Sequence, residues 1–97
     1  MTCQVILELT AKDGTYDELR KMFIDIISDT RSYEGCVSVD FVRNQDEPNQ
    51  MVILEKWDSR KSYEAYFAWR TETGVLEQLG KLADGAPQLR FFDAMGV

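Results

Sequence analysis

Met51-Val52-Ile53-Leu54-Glu55-Lys56-Trp57 is apolar on both parities of its alternation, with a single carboxylate among the odd positions. Successive side chains of a strand point to opposite faces. Residues 51–57 therefore read as a strand with Met51, Ile53, Glu55 and Trp57 on one side and Val52, Leu54 and Lys56 on the other. A strand with one solvated face would be polar at the even positions. Here both faces call for a cover.

The flanks supply the rest of the fold. Asp46-Glu47-Pro48-Asn49 is a cluster of turn formers, and residues 36–44 before it alternate through Val37, Val39 and Phe41, which predicts a hairpin. Further upstream, residues 16–33 carry Leu19, Met22, Phe23, Ile26 and Ile27 on one helical stripe, with Asp17, Lys21, Asp25 and Asp29 outside it. Thr15 predicts an N-cap with Glu18 completing a capping box, and Glu34-Gly35 ends the helix. Residues 3–12 form a first strand on the row Cys3, Val5, Leu7, Leu9 and Ala11, closed by the Asp13-Gly14 turn. Downstream, Asp58 or Ser59 caps a second helix that runs to residue 73. Gly74 interrupts it, a shorter amphipathic piece follows with Val75, Leu76, Leu79 and Leu82, and residues 88–94 make the last strand.

The order is β-α-β-β-α-β. Right-handed crossovers convert it into an α+β, ferredoxin-like fold: a four-stranded antiparallel sheet in the order 4-1-3-2 with the helices on one face. The odd strand positions, from Val5, Leu7 and Leu9 through Val37, Val39 and Phe41 to Leu89 and Phe91, are predicted to face the helices. The even positions bring together Ile6, Val42, Val52, Leu54, Phe92 and Ala94, with Glu8, Asp40, Lys56 and Arg90 among them. So large an apolar face is uncommon on a monomer, and its balanced charges suit self-complementary contact. A homodimer through Ile6, Val42, Val52, Leu54 and Phe92 is the expectation.

Composition narrows the function classes. Ninety-seven residues bound a single domain over 1–97. No run approaches the about 18 apolar residues of a membrane span, and the start lacks the order of a secretory signal; a cytoplasmic protein is expected. The net charge of -6 opposes nucleic-acid binding, which needs a cationic footprint. Cys3 and Cys36 begin two strands with a third between them, about 10 Å apart at ordinary strand spacing, which is beyond disulfide reach. Free thiols are expected.

The chain has no histidine. That removes the usual haem ligand, the two-histidine iron site and most zinc sites. No glycine-rich fingerprint opens a helix after a strand, and the cysteine and serine hydroxyl or thiol groups lack a histidine base. No cofactor and no metal are expected. What remains is aromatic. Tyr63, Tyr66 and Phe67 fall at i, i+3 and i+4 on the second helix, above Trp57, with Arg70 one turn on and Trp69 beside it. Such a cluster is either a core of large rings or the wall of a pocket for a flat aromatic molecule, whose phenolic tips need partners. Glu55 faces the helices beside Leu7. It is either paired with Arg43 or Arg70, or it is a general base with a raised pKa in an apolar pocket. Arg70 is either an ordinary helix-end charge or a guard at the pocket mouth that holds an anionic or phenolate group.

Ala11-Lys12-Asp13-Gly14, Asp17-Glu18-Leu19, Glu34-Gly35-Cys36, Glu55-Lys56-Trp57-Asp58-Ser59 and the stretch from Tyr63 to Phe67 together resemble the antibiotic-biosynthesis monooxygenase domains of the dimeric α/β-barrel superfamily. The resemblance covers nearly the whole chain. It implies a homodimer with a ligand cavity between sheet and helices in each subunit. Characterised members include cofactor-independent oxygenases of aromatic polyketides, quinol oxygenases and haem-degrading enzymes. Trp57 and Tyr63 match a tryptophan and a tyrosine six residues later in the anthrone-oxidising members, whose asparagine falls at Ile53 here. The haem-degrading pattern is not matched: its asparagine falls at Leu7, its tryptophan at Tyr66, and its histidine has no counterpart. The resemblance thus implies a cofactor-independent monooxygenase, an oxidoreductase, acting on a phenol, quinol or polyketide. Glu55, Trp57 and Tyr63 would be its catalytic residues, and Leu7, Ile53, Tyr66, Phe67, Trp69 and Arg70 its substrate contacts. The rival expectation is a non-catalytic dimeric barrel that sequesters a small hydrophobic ligand.

Overall fold

A computed structural model describes residues 2–97. Strand β1 (Cys3–Thr10) leads into helix α1 (Tyr16–Ser32), and the hairpin β2 (Cys36–Arg43) and β3 (Gln50–Trp57) follows. Helices α2 (Arg60–Glu72) and α3 (Val75–Leu82) precede the last strand, β4 (Gln88–Asp93). The sheet is open and antiparallel in the order β2-β3-β1-β4, as the ferredoxin-like order requires. Among the described residues no helix is long and apolar enough to cross a membrane.

Register places the odd positions together. Cys3 stands opposite Trp57, Val5 opposite Glu55 and Leu7 opposite Ile53, so Val5, rather than Leu7, is the direct neighbour of Glu55. Leu9, Val39, Met51 and Ile53 pack under Leu19, Met22 and Phe23 of α1, with Leu79 of α3 joining them. Cys3, Val5 and Trp57 pack under Tyr63 and Tyr66 of α2. The even face is largely open among the described residues: Val42, Leu54 and Phe92 are 44%, 39% and 46% exposed.

Two local expectations fail for identifiable reasons. Val37 is 56% exposed instead of facing the helices, because a bulge between Cys36 and Ser38 inserts it as an extra residue and breaks the parity. The Thr15 side chain makes no capping bond. Its hydroxyl is drawn instead to the carbonyls of Lys12 and Leu82, 2.8 and 2.9 Å away. Together with the Lys12 N–H donating to Leu82 at 2.9 Å and a bridge between Ala11 and Ala83, this clasps the end of α3 to the turn after β1. Helix α2 is capped as expected, Ser59 Oγ accepting from the Ser62 N–H at 3.1 Å.

Gly35 sets where α2 begins. Its φ is +93°, its carbonyl accepts from the Asp58 N–H at 2.8 Å, and a Cβ there would lie 2.6 Å from Ser62 Cβ and 2.8 Å from Asp58 Oδ1. A side chain would be strained in the backbone and would also push α2 away. Gly35→Ala is expected to cost about 2–4 kcal/mol, from the left-handed penalty plus overpacking, read as a lower urea midpoint.

Candidate active site between the sheet and its helices

The core leaves a cavity of about 290 Å³ between the sheet and the helices, near the lower end of small-molecule sites, which run from about 300 to 1,000 Å³. Leu7, Ile53 and Glu55 line it from the sheet, and Tyr63, Tyr66, Phe67 and Arg70 from α2. Helix α1 contributes Phe23, Ile26 and Thr30, and α3 contributes Val75, Leu76 and Leu79. The walls are apolar except at two places.

The first is on the sheet. Glu55 is 6% exposed, and its Oε1 accepts a hydrogen bond from Trp57 Nε1 at 3.1 Å. The two residues share a face because they are two apart on one strand. Its other oxygen has no hydrogen-bond partner among the described residues. Every side-chain nitrogen or oxygen that is fully cut off from solvent among the described residues does have one, so this oxygen opens on the cavity that Glu55 lines. Burial pushes the carboxyl up to about 7, and the indole bond only partly offsets it. The predicted ion pair is not formed. Arg43 donates to the Pro48 carbonyl and lies 3.6 Å over the Tyr16 ring, while Arg70 is bonded elsewhere. Tyr63, 3% exposed, also lines the cavity, and its hydroxyl has no partner among the described residues. Burial first, and then the charge of Glu55, push that phenol far up, so at neutral pH it is a proton-bearing donor.

The second polar place bridges α1 and α2. Arg70 Nε donates to Tyr66 Oη at 2.9 Å, and Arg70 Nη2 donates to the Ile26 carbonyl at 3.0 Å and to Thr30 Oγ1 at 3.1 Å. Thr30 Oγ1 and Tyr66 Oη are 2.7 Å apart. Burial raises the Tyr66 phenol against the opposing pull of its bonds to Thr30 and Arg70.

Of the residues singled out from the sequence, Trp57 and Trp69 do not line the cavity. Trp57 is wholly buried, with Cys3 and Cys36 as its cross-strand neighbours on either side. Its ring packs on Tyr63 and Tyr66 at centroid distances of 5.6 and 5.0 Å. It therefore holds Glu55 from behind and is not a wall. Trp69 faces the end of α1, stacked on Tyr33 at 5.3 Å with the Arg70 guanidinium 4.4 Å over its ring. Thr30 was missed. It continues the α1 stripe one turn beyond Ile26, and a hydroxyl on an apolar stripe was the available signal. Both cysteines are free, Cys3 buried and Cys36 half-buried, and burial is the first cause that pushes each thiol up. No three of the cysteines and carboxylates gather to hold a metal ion among the described residues.

The sequence profile of a known family, described as antibiotic biosynthesis monooxygenase, matches residues 3–73. The chain belongs to this family. Among solved structures similar to this antibiotic biosynthesis monooxygenase domain is Rv0793 of Mycobacterium tuberculosis. It is 20% identical, with a TM-score of 0.89 over 100% of this chain and 98% of that one. A conserved protein of Methanosarcina mazei Go1 is 16% identical, with a TM-score of 0.87 over 95% and 91%. SnoaB of Streptomyces nogalater, a cofactor-independent oxygenase, is 16% identical, with a TM-score of 0.85 over 99% and 95%. At these identities the likeness carries the fold alone. No curated protein matches the sequence.

The Glu55 carboxyl makes stability depend on pH. Folded, it keeps its proton up to about pH 7, whereas the ordinary value for a free carboxyl is 4.5. Its neutral form is therefore fully compatible with folding below pH 4.5, and stability is lost as pH rises through about 7. Glu55→Gln, which cannot ionise, is expected to match wild type at pH 4.5 and to exceed it by roughly 3 kcal/mol at pH 8. Urea denaturation of both proteins at the two pH values measures the difference.

Proposed function

We propose that the cavity binds a phenolic, quinol or polyketide aromatic molecule and oxidises it with O₂ without a bound cofactor. The observation that carries this reading is Glu55: a buried carboxyl ionising near neutrality, with one free oxygen on an apolar cavity. Family membership supports a monooxygenase-like domain, and a cofactor-independent oxygenase shares the fold.

The chemistry asks little of the protein. Glu55 takes a proton from the bound aromatic, and the carbanion or phenolate so formed gives electrons to O₂. A new C–O bond forms at a ring carbon activated by the phenolate. The resulting hydroperoxide then loses water across its O–O bond as that carbon gives up its hydrogen, leaving a carbonyl. The substrate supplies all four electrons, one oxygen atom stays in the product and the other leaves as water. Tyr63, protonated throughout, donates to a developing oxyanion, while the apolar walls orient the ring and exclude bulk water. Trp57 acts through Glu55, fixing its carboxylate.

Oxygen uptake with a panel of hydroquinones and hydroxylated polycyclic aromatics tests the reading. Turnover is expected to rise with pH through about 7, because the ionised base is the active form. Glu55→Gln is expected to lower kcat by about 10² or more, the usual scale for a positioned base. Ligand binding with no oxygen uptake across the panel would favour sequestration instead.

We infer further that two copies join through their bare sheet faces into a dimeric α/β barrel. Val42, Leu54 and Phe92 are each more than a third exposed on that face. Its charges are of both signs, with Arg90 and Glu8 already paired at 2.7 Å within one chain. Wild type is expected to sediment as a dimer at micromolar concentration. Leu54→Asp is expected to sediment as a monomer, since it would bury unpaired charge at a cost of several kcal/mol. A monomeric wild type would overturn the interface.

A further inference from the structure

Arg70 is 5% exposed, and a guanidinium has five N–H donors and no acceptor. Three of those donors are used, and all three meet neutral oxygens: Tyr66 Oη, the Ile26 carbonyl and Thr30 Oγ1. The two on Nη1 have no partner among the described residues. No carboxylate among them offsets the charge either. The ion pairs among the described residues are Arg60 with Glu64 and Arg90 with Glu8. The one buried carboxyl in the cavity, Glu55, is bonded to Trp57 and shifted by burial and that bond alone, with no contribution from Arg70. A buried cation is ordinarily matched by an anion, because neutral dipoles replace its hydration only in part. Here the cation lines a largely apolar cavity with two donors to spare, and no anion is paired with it among the described residues.

We propose that the cavity selects aromatic substrates that carry a carboxylate, and that Arg70 Nη1 receives it. The oxygenase reading above supplies the other end, because it places the reacting hydroxyl at Glu55 and Tyr63. The substrate then spans the cavity, acid group toward α1 and α2 and hydroxyl toward the sheet. Thr30 and Tyr66 act as positioning residues. Their oxygens take up Nε and Nη2, which leaves Nη1 as the guanidinium nitrogen open to a ligand in the cavity that Arg70 lines. The Arg70 Cζ also lies 4.4 Å from the Trp69 ring centre, a cation–π contact that helps hold the guanidinium before a ligand arrives. Charge-assisted bonds of this kind are about twice as strong as neutral ones, and a carboxylate brings the negative charge that a neutral amide of the same planar shape lacks.

Two probes of the same shape read the selection directly, 6-hydroxy-2-naphthoate and its neutral amide, 6-hydroxy-2-naphthamide. They are titrated into the wild-type protein under nitrogen at about pH 6, where Glu55 retains its proton. The acid is expected to bind about tenfold more tightly than the amide, the discrimination a charged hydrogen bond ordinarily gives. In Arg70→Gln the preference is expected to fall below about twofold while the affinity for the amide changes little. The wild-type comparison needs no variant, so it decides the matter even if Arg70→Gln fails to fold. Equal binding of acid and amide overturns the proposal, as does the absence of binding by either at millimolar concentration, or an acid preference that survives in folded Arg70→Gln. No turnover enters the measurement. An acid preference without oxygen uptake would leave this selection standing and sink the oxygenase reading. Oxygen uptake with no acid preference would do the reverse.

Discussion

Strand β3 is paired on both edges, and Glu55 stands between Val5 of β1 and Val39 of β2 in the two ladders. Its register is thereby fixed twice. A slip of one residue would turn every side chain of β3 to the other face. Glu55 and Trp57 would then lie on the bare side, and Leu54 and Lys56 would enter the core. The position of the carboxylate in the cavity is thus a consequence of sheet pairing. The bond from the Trp57 indole follows from the same alternation, since residues two apart on a strand share a face. Helix α2, anchored through the close approach at Gly35, then lowers Tyr63 and Tyr66 onto the ring of Trp57 and closes the back of the site.

The distribution of charge inside the core is unusual in one respect. A carboxylate and a guanidinium both line the cavity, and each is bonded to neutral groups instead of to the other. Pairing them would have stabilised the fold at neutral pH and left the cavity electrically silent. Keeping them apart leaves a proton acceptor near its half-ionised point at one place and a permanent cation at another. The cost appears in the elevated carboxyl pKa. Tyrosine hydroxyls stand at both places, protonated at neutral pH as phenols ordinarily are, and burial raises their pKa values further.

Much of this was legible in the order of residues. The double parity of 51–57 already implied a two-sided strand, and the β-α-β-β-α-β order with right-handed crossovers implied the sheet order. The apolar cavity was legible only as a choice between core and pocket, because periodicity says which face a ring lies on and not whether the rings opposite touch it. Trp57 illustrates the limit: parity placed it correctly toward the helices, yet only packing shows that Tyr63 and Tyr66 cover it. Trp69 went to the end of α1 for a similar reason, since a helical position does not reveal which neighbouring helix end it meets. The partner of Glu55 depends on distances across the sheet and was open between two arginines, neither of which took it. Val37 and Thr15 failed locally, one to an inserted residue and one to a carbonyl brought near by α3. Neither event has a signature in a single sequence.

The cross-strand neighbours of Trp57 bear on how such a domain would survive its own chemistry. Cys3 and Cys36 flank that ring, one buried and one half-buried, and burial raises both thiols. Peroxides attack the thiolate far faster than the thiol. With their pKa values raised, each sulfur is almost entirely in its less reactive form at neutral pH. Neither lines the cavity, from which a reactive oxygen species would escape. The sulfhydryls thus flank the tryptophan, outside the cavity lining and in their less reactive protonation state, so under the proposed oxygen chemistry the packing that fixes Glu55 would also limit oxidative self-damage.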